Sequence, residues 1–151
     1  MKPKFQKLYN NIAHEVAKMS HARRLQVGAV IVKDDRVISM GYNGMPAGWE
    51  NDCENETVES YSGHEGAIHR TVLKTKPEVL HAESNAIAKL AKSNDSGDGA
   101  DIFVTHAPCM ECAKLIFQSG INRVYYNQDY RDDSGIKFLK KSGVEVIKHD
   151  E

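Results

Sequence analysis

No apolar run in the sequence approaches the roughly 20 residues a helix needs to cross a bilayer. The basic N-terminal stretch Met1-Lys2-Pro3-Lys4-Phe5-Gln6-Lys7 is not followed by the apolar core of a secretory signal. Both absences make the cytoplasm the expected location. Net charge is nearly absent too: 20 Lys and Arg against 21 Asp and Glu leave −1. A protein that grips a long nucleic acid normally carries a basic surface, so a general polyanion binder is set aside. Cysteine is scarce and odd in number, three in 151 residues. That is not the even framework of a small disulfide-stapled domain. Internal repeats and low-complexity tracts are missing as well.

What is present is a soluble globular composition, 40% hydrophobic and 27% charged. The length predicts one domain over residues 1–151, able to bury about 70% of its unfolded surface. Phe5, Leu8, Ile12, Val16 and Met19 recur at helical spacing and predict an amphipathic helix. Two β-rich runs, 27–33 and 36–42, flank Asp34-Asp35 and read as an antiparallel hairpin, its first strand buried on both faces. Residues 49–80 lack a clear period and read as an irregular insertion, with a short helix over 65–74. A helix is expected from near His81 to before Asn94, a strand over 101–106, and a helix from Cys109 to Ser119 closed by Gly120. A strand at 124–126, a helix at 134–141 and a strand at 144–147 complete the chain. The sum is an α/β fold with three layers, α-β-α: a mixed central sheet of about five strands with helices on both faces.

The chemistry-bearing residues lie at two of these helix starts. Cys109 and Cys112 are three apart, so they share a helix face, and a helix N-terminus favours the thiolate that binds metal. Two sulfurs plus the His81 imidazole select Zn2+ over magnesium or calcium. Three protein ligands leave a fourth position open to water, whose pKa on zinc falls to about 7. Glu83, two residues after His81, is not needed as a ligand and suits a proton carrier. A structural zinc half-site or a redox pair is the alternative reading of Cys-x-x-Cys alone. A structural site would need a fourth ligand, and no other Cys lies near either motif; a redox pair leaves His81 and Glu83 without a role. His-x-Glu followed by Pro-Cys-x-x-Cys is the known signature of zinc-dependent nucleobase deaminases.

Beyond the signature, several stretches resemble the cytidine deaminase superfamily, and within it the deoxycytidylate deaminases. They are Arg24-Leu25-Gln26-Val27-Gly28-Ala29, Gly41-Tyr42-Asn43-Gly44-Met45-Pro46, His81-Ala82-Glu83-Ser84-Asn85-Ala86, Thr105-His106-Ala107-Pro108-Cys109 through Cys112, and Gln118-Ser119-Gly120-Ile121. The resemblance implies one catalytic Zn2+ per chain, held by His81, Cys109 and Cys112, with Glu83 as the catalytic residue. It implies conversion of dCMP to dUMP and ammonia for thymidylate synthesis. For substrate binding it implies Asn43 at the sugar, the Ala82 backbone at the pyrimidine, His106 in the base pocket, and Arg24 and Tyr126 near the phosphate. Arg131 is a further phosphate candidate. It also implies a homohexamer activated by dCTP and inhibited by dTTP, with Mg2+ on the triphosphate. Some relatives hold a second metal; here Cys53, His64, His69 and His21 are the residues available for one, with Ala22 where a cysteine would stand. The alternatives are a deaminase of another cytosine nucleotide or nucleoside, or a noncatalytic zinc-stabilised nucleotide-binding protein.

Overall fold

The computed structural model describes residues 1–149. Helix α1 spans Pro3–Ala17, with proline in its first turn, where its missing N–H costs nothing. Strands β1 (Gly28–Lys33) and β2 (Arg36–Tyr42) form the expected hairpin. Asp34 and Asp35 both adopt positive φ, 52° and 58°. That is the backbone of a type I′ turn, whose twist matches the strands it joins. After a second hairpin, described below, come α2 (Ala82–Ala91), β5 (Asp101–His106), α3 (Met110–Gln118), β6 (Arg123–Gln128), α4 (Ser134–Lys141) and β7 (Glu145–Lys148).

The central sheet has five strands in the order β2-β1-β5-β6-β7. β1 is antiparallel to both its neighbours, while β5, β6 and β7 run parallel. Alternation along the strands divides the core. Ala29, Ile31, Ile102, Val104 and Val124 face α2 and α3, together with Leu139 from α4. Val30, Val32, Phe103 and Tyr125 point the other way and meet Tyr9, Ala13 and Val16 of α1. Phe103 and Tyr125 stack with centroids 4.4 Å apart, on neighbouring strands in direct register. The mixed three-layer architecture is the one expected. Leu8 and Met19 depart from the α1 stripe: both are exposed, and Tyr9 and Ala13 take the buried positions. A stripe one residue round the helix is a small rotation that spacing alone does not fix.

The region read as irregular is ordered. β3 (Glu54–Gly63) and β4 (Gly66–Thr75) form a separate two-stranded sheet, paired from Glu54↔Thr75 to Gly63↔Gly66. There is no helix over 65–74. The turn is His64-Glu65 between two glycines, with Gly66 at φ +108°. Pairing of Thr57 with Val72, Glu59 with Arg70 and Tyr61 with Ile68 provides the β-branched, aromatic and charge pairs that favour a ladder. Both faces of the arm are largely exposed, so no inside–outside alternation was available to mark it.

β2 and α2 touch at a glycine. A methyl on Gly41 would run into the Ala82 carbonyl and lie 2.7 Å from the Ala86 nitrogen. Ser39 Oγ also donates to the Ala86 carbonyl (2.6 Å), and Asn85 Nδ2 donates to the Tyr42 carbonyl (2.8 Å). Gly41→Ala is therefore expected to cost about 1–3 kcal/mol by overpacking, measured as a lower urea midpoint with an unchanged slope.

Candidate active site

The site lies at the sheet edge where β5 and β6 end, where β1 begins and where β2 ends. Loops after parallel strands open there, as at the ligand crevices of other α/β sheets. His81 is the residue before the first turn of α2, and Cys109 holds the same position on α3. Pro108 stands just outside that helix. Its carbonyl and the Cys109 backbone press against Gly135 of α4, where a methyl would sit 2.8 Å from the Cys109 carbonyl carbon. Glu83 and Glu111 lie in the first turns of their helices.

His81 Nδ1 is 3.5 Å from Cys109 Sγ and 3.4 Å from Cys112 Sγ. The three ligand atoms lie within 4.8 Å of one another. Zinc bonds of about 2.1 Å to nitrogen and 2.3 Å to sulfur, at tetrahedral angles, separate N and S by about 3.6 Å. The group fits Zn2+ in donor type and in spacing. Cys112 is buried, Cys109 half-buried and His81 exposed, so the group is closed on the protein side and open toward the cavity. Contacts with Cys112 and with the His81 ring hold the Cys109 thiol down to about 4, and the Cys109 contact together with burial pushes Cys112 up. His81 is raised by its bond to Cys109.

Glu83 is 4% exposed. Burial pushes its carboxyl above the usual range, with the facing His81 pulling the other way. A carboxyl that takes up and releases a proton nearer neutrality is suited to acid–base work.

A cavity of about 540 Å³ opens over these groups, within the size range of small-ligand sites. Arg24, Asn43, His81, Ala82, Glu83 and His106 all line it, so the structure brings those sequence-derived residues together. Asn43 already has two partners: its Oδ1 accepts from the Val27 N–H and its Nδ2 donates to the Leu25 carbonyl, both at 2.8 Å. It clamps the loop that carries Arg24. His106 is 2.8 Å from Thr105 Oγ1, and burial lowers its pKa, with His14 adding to the effect.

Tyr126 does not line the cavity. It is buried with Ala107 and Ile136, because strand alternation sends Tyr125 toward α1 and Tyr126 under α4. The tyrosine at the wall is Tyr130, with Arg131 beside it, the guanidinium 5.7 Å from the ring. Sequence reasoning missed Glu54 and the wall from β4, which includes Lys74. Recognising the Gly63/Gly66 turn would have found that wall.

The four residues considered for a second metal are not assembled. Cys53 is buried among Ala22, Val79 and Met45, its thiol donating to the Asn51 carbonyl at 3.4 Å. His21, His64 and His69 are exposed, and His69 Nδ1 is 2.8 Å from Ser60 Oγ on the facing strand. At about 3.3 Å per strand residue, His64 lies some 35 Å along the arm from Cys53. Among the described residues, the compact His/Cys/Asp/Glu group is His81, Cys109 and Cys112.

Gly135→Ala should push the Pro108–Cys109 peptide off its seat. Zinc affinity is expected to drop about 10- to 100-fold, as for lost support of a ligand, measured by competition with a chromophoric chelator.

Residues 3–128 match the family model described as "Cytidine and deoxycytidylate deaminase zinc-binding region". The chain belongs to this family. Among its deaminase-family relatives, the deoxycytidylate deaminase of enterobacteria phage T4 is 36% identical, over 90% of this chain and 85% of that protein. ComE operon protein 2 of Bacillus subtilis (strain 168) is 43% identical over 79% of this chain, which spans only 57% of that relative's length. The structure of the dCMP deaminase from the cyanophage S-TIM5, in complex with dCMP and dUMP, superposes with a TM-score of 0.85 at 40% identity, covering 99% of both chains. No helix among the described residues is long and apolar enough to cross a membrane.

Proposed function

We propose that this deaminase-family protein hydrolyses dCMP to dUMP and ammonia. One observation carries the reading: a buried carboxyl, Glu83, sits beside a zinc-compatible His/Cys/Cys group in a cavity whose wall also bears Arg24. Arg24 forms no ion pair among the described residues, so its guanidinium is available to a phosphate. The likeness to phage enzymes named for this substrate supports the same choice.

Zn2+ on His81, Cys109 and Cys112 would supply a Lewis acid that makes water a competent nucleophile at neutral pH. The protein's own part falls to Glu83. It takes a proton from the attacking water and returns protons to ring N3 and to the amine leaving C4. The oxygen stays on the ring as the uracil carbonyl, so dCMP and water give dUMP and ammonia. Ala82 and His106 frame the base, Asn43 stands at the sugar, and Arg24 holds the phosphate, with Arg131 as a further cation at the same wall.

The finer parts of the proposal rest on the family resemblance: supply of dUMP for thymidylate synthesis in the cytoplasm, activation by dCTP and inhibition by dTTP with Mg2+ on the triphosphate, and a hexamer. Purified protein given dCMP should lose cytosine absorbance and release ammonia. Turnover of cytidine with none of dCMP would sink the substrate assignment, and no turnover of any cytosine compound by zinc-loaded protein would favour a noncatalytic binder. Adding dCTP or dTTP to the same assay tests the control, and light scattering tests the assembly.

A further inference from the structure

Two adjacent arginines, Arg23 and Arg24, have opposite surroundings. Arg23 is ringed by carboxylates: Asp52 at 3.1 Å, Glu54 at 3.7 Å, and Glu56. The Arg24 side chain pairs with no carboxylate among the described residues, and Arg24 lines the cavity. The residue that separates the two is Glu54, 2% exposed at the start of β3.

A buried carboxylate is costly unless its oxygens are satisfied. Here the partners are mostly backbone. The Arg23 N–H donates to Oε1 and Oε2 at 3.2 and 3.0 Å, and the Arg24 N–H donates to Oε2 at 3.0 Å. Two successive N–H groups converging on one anion fix the peptide between them, and with it the direction in which the Arg24 side chain leaves the backbone. Asn43 then fastens the next residues through the Leu25 carbonyl and the Val27 N–H. The loop is thus held before and after Arg24 by side chains from two different elements. Bonds to a charged acceptor are about twice as strong as neutral ones.

We propose that Glu54 is the positioning residue for Arg24, and through it a determinant of selectivity for a nucleotide over its nucleoside. This rests on the reading of the cavity as a dCMP site. Glu54 lies at the cavity wall but is 2% exposed, with both carboxyl oxygens engaged by backbone N–H groups. It acts by presenting Arg24 in advance, so that less order has to be imposed when the phosphate arrives.

The test compares kcat and KM for dCMP and for deoxycytidine, which lacks the phosphate, in the zinc-loaded parent and in Glu54→Ala, Glu54→Gln, Arg24→Ala, Arg23→Ala and the Glu54→Ala/Arg24→Ala double variant. Glu54→Ala should cut the preference for dCMP over deoxycytidine by about 10- to 100-fold, the range for hydrogen bonds to charged groups, chiefly through the KM for dCMP. Glu54→Gln keeps one accepting oxygen and should fall between. Arg23→Ala removes ion pairs but neither backbone bond, and should keep the parent's preference. The double variant should be no less selective than Arg24→Ala alone, because the two residues act in series. Equal losses on both substrates, additive losses in the double variant, or a collapse in Arg23→Ala would each overturn the proposal. If Glu54→Ala does not fold, Glu54→Gln alone and combined with Arg24→Ala decides by the same comparison. A parent that itself shows no preference for dCMP refutes the nucleotide reading directly, separately from any role of Glu54.

Discussion

Glu83→Ala is expected to lower turnover of dCMP by at least about 10³-fold, within the range lost with a positioned acid–base group, while zinc content stays at the parent's level. The two readouts separate because Glu83 is outside the ligand group. The atoms that converge are His81 Nδ1 and the Cys109 and Cys112 sulfurs. The carboxyl lies beside them, buried, with its pKa raised first by that burial. Activity is measured by cytosine absorbance and metal by elemental analysis of the same sample. Loss of zinc along with activity would make Glu83 a ligand and undo the division of roles. Glu83→Gln keeps size and hydrogen bonding but carries no exchangeable carboxyl proton, so it should be about as inactive as the alanine variant.

The second large effect is expected at Arg24, on the wall of the same cavity. Arg24→Ala should reduce kcat/KM for dCMP by about 10- to 100-fold, the worth of charge-assisted bonds to one phosphate. The loss should appear in KM, because the phosphate carries the same charge in substrate and transition state. Arg24→Lys keeps the charge but not the planar fork and should recover only part of the loss. An unchanged KM for dCMP in Arg24→Ala would remove the arginine from the phosphate site. Arg131, held over the Tyr130 ring, would then be the cation to substitute next.

The sequence made some elements easy to see and concealed others for physical reasons. β1, β2 and the acidic turn were legible because strand period, β-branched residues and a two-residue gap agree. The metal group and its neighbouring carboxyl were legible because they come in two tight local pairs, His81 with Glu83 and Cys109 with Cys112, each at a helix start. The β3–β4 arm was hidden because both its faces are wet, so its side chains carry no alternation. Tyr126 lies away from the cavity wall because a strand sends neighbouring tyrosines to opposite faces, and a pair of tyrosines gives no hint of which face meets the cavity. Glu54 was invisible for a different reason. Its partners are the backbone N–H groups of residues 23 and 24, 31 and 30 positions earlier, and backbone groups leave no trace in residue identity. His64 and His69 looked like ligands by type, yet the arm carries them away from Cys53.

Gly44 exchanges two backbone hydrogen bonds with Leu80, at 3.0 and 2.8 Å. Leu80 precedes His81 and Gly44 follows Asn43, so the loop that carries Asn43 and the residue before α2 are joined by main chain, not merely by neighbouring side chains. The bridge ties together two stretches of the cavity wall, Asn43 and His81, that lie far apart in the chain. Displacing either stretch alone would break backbone hydrogen bonds on the other, so the two walls are built as one seam.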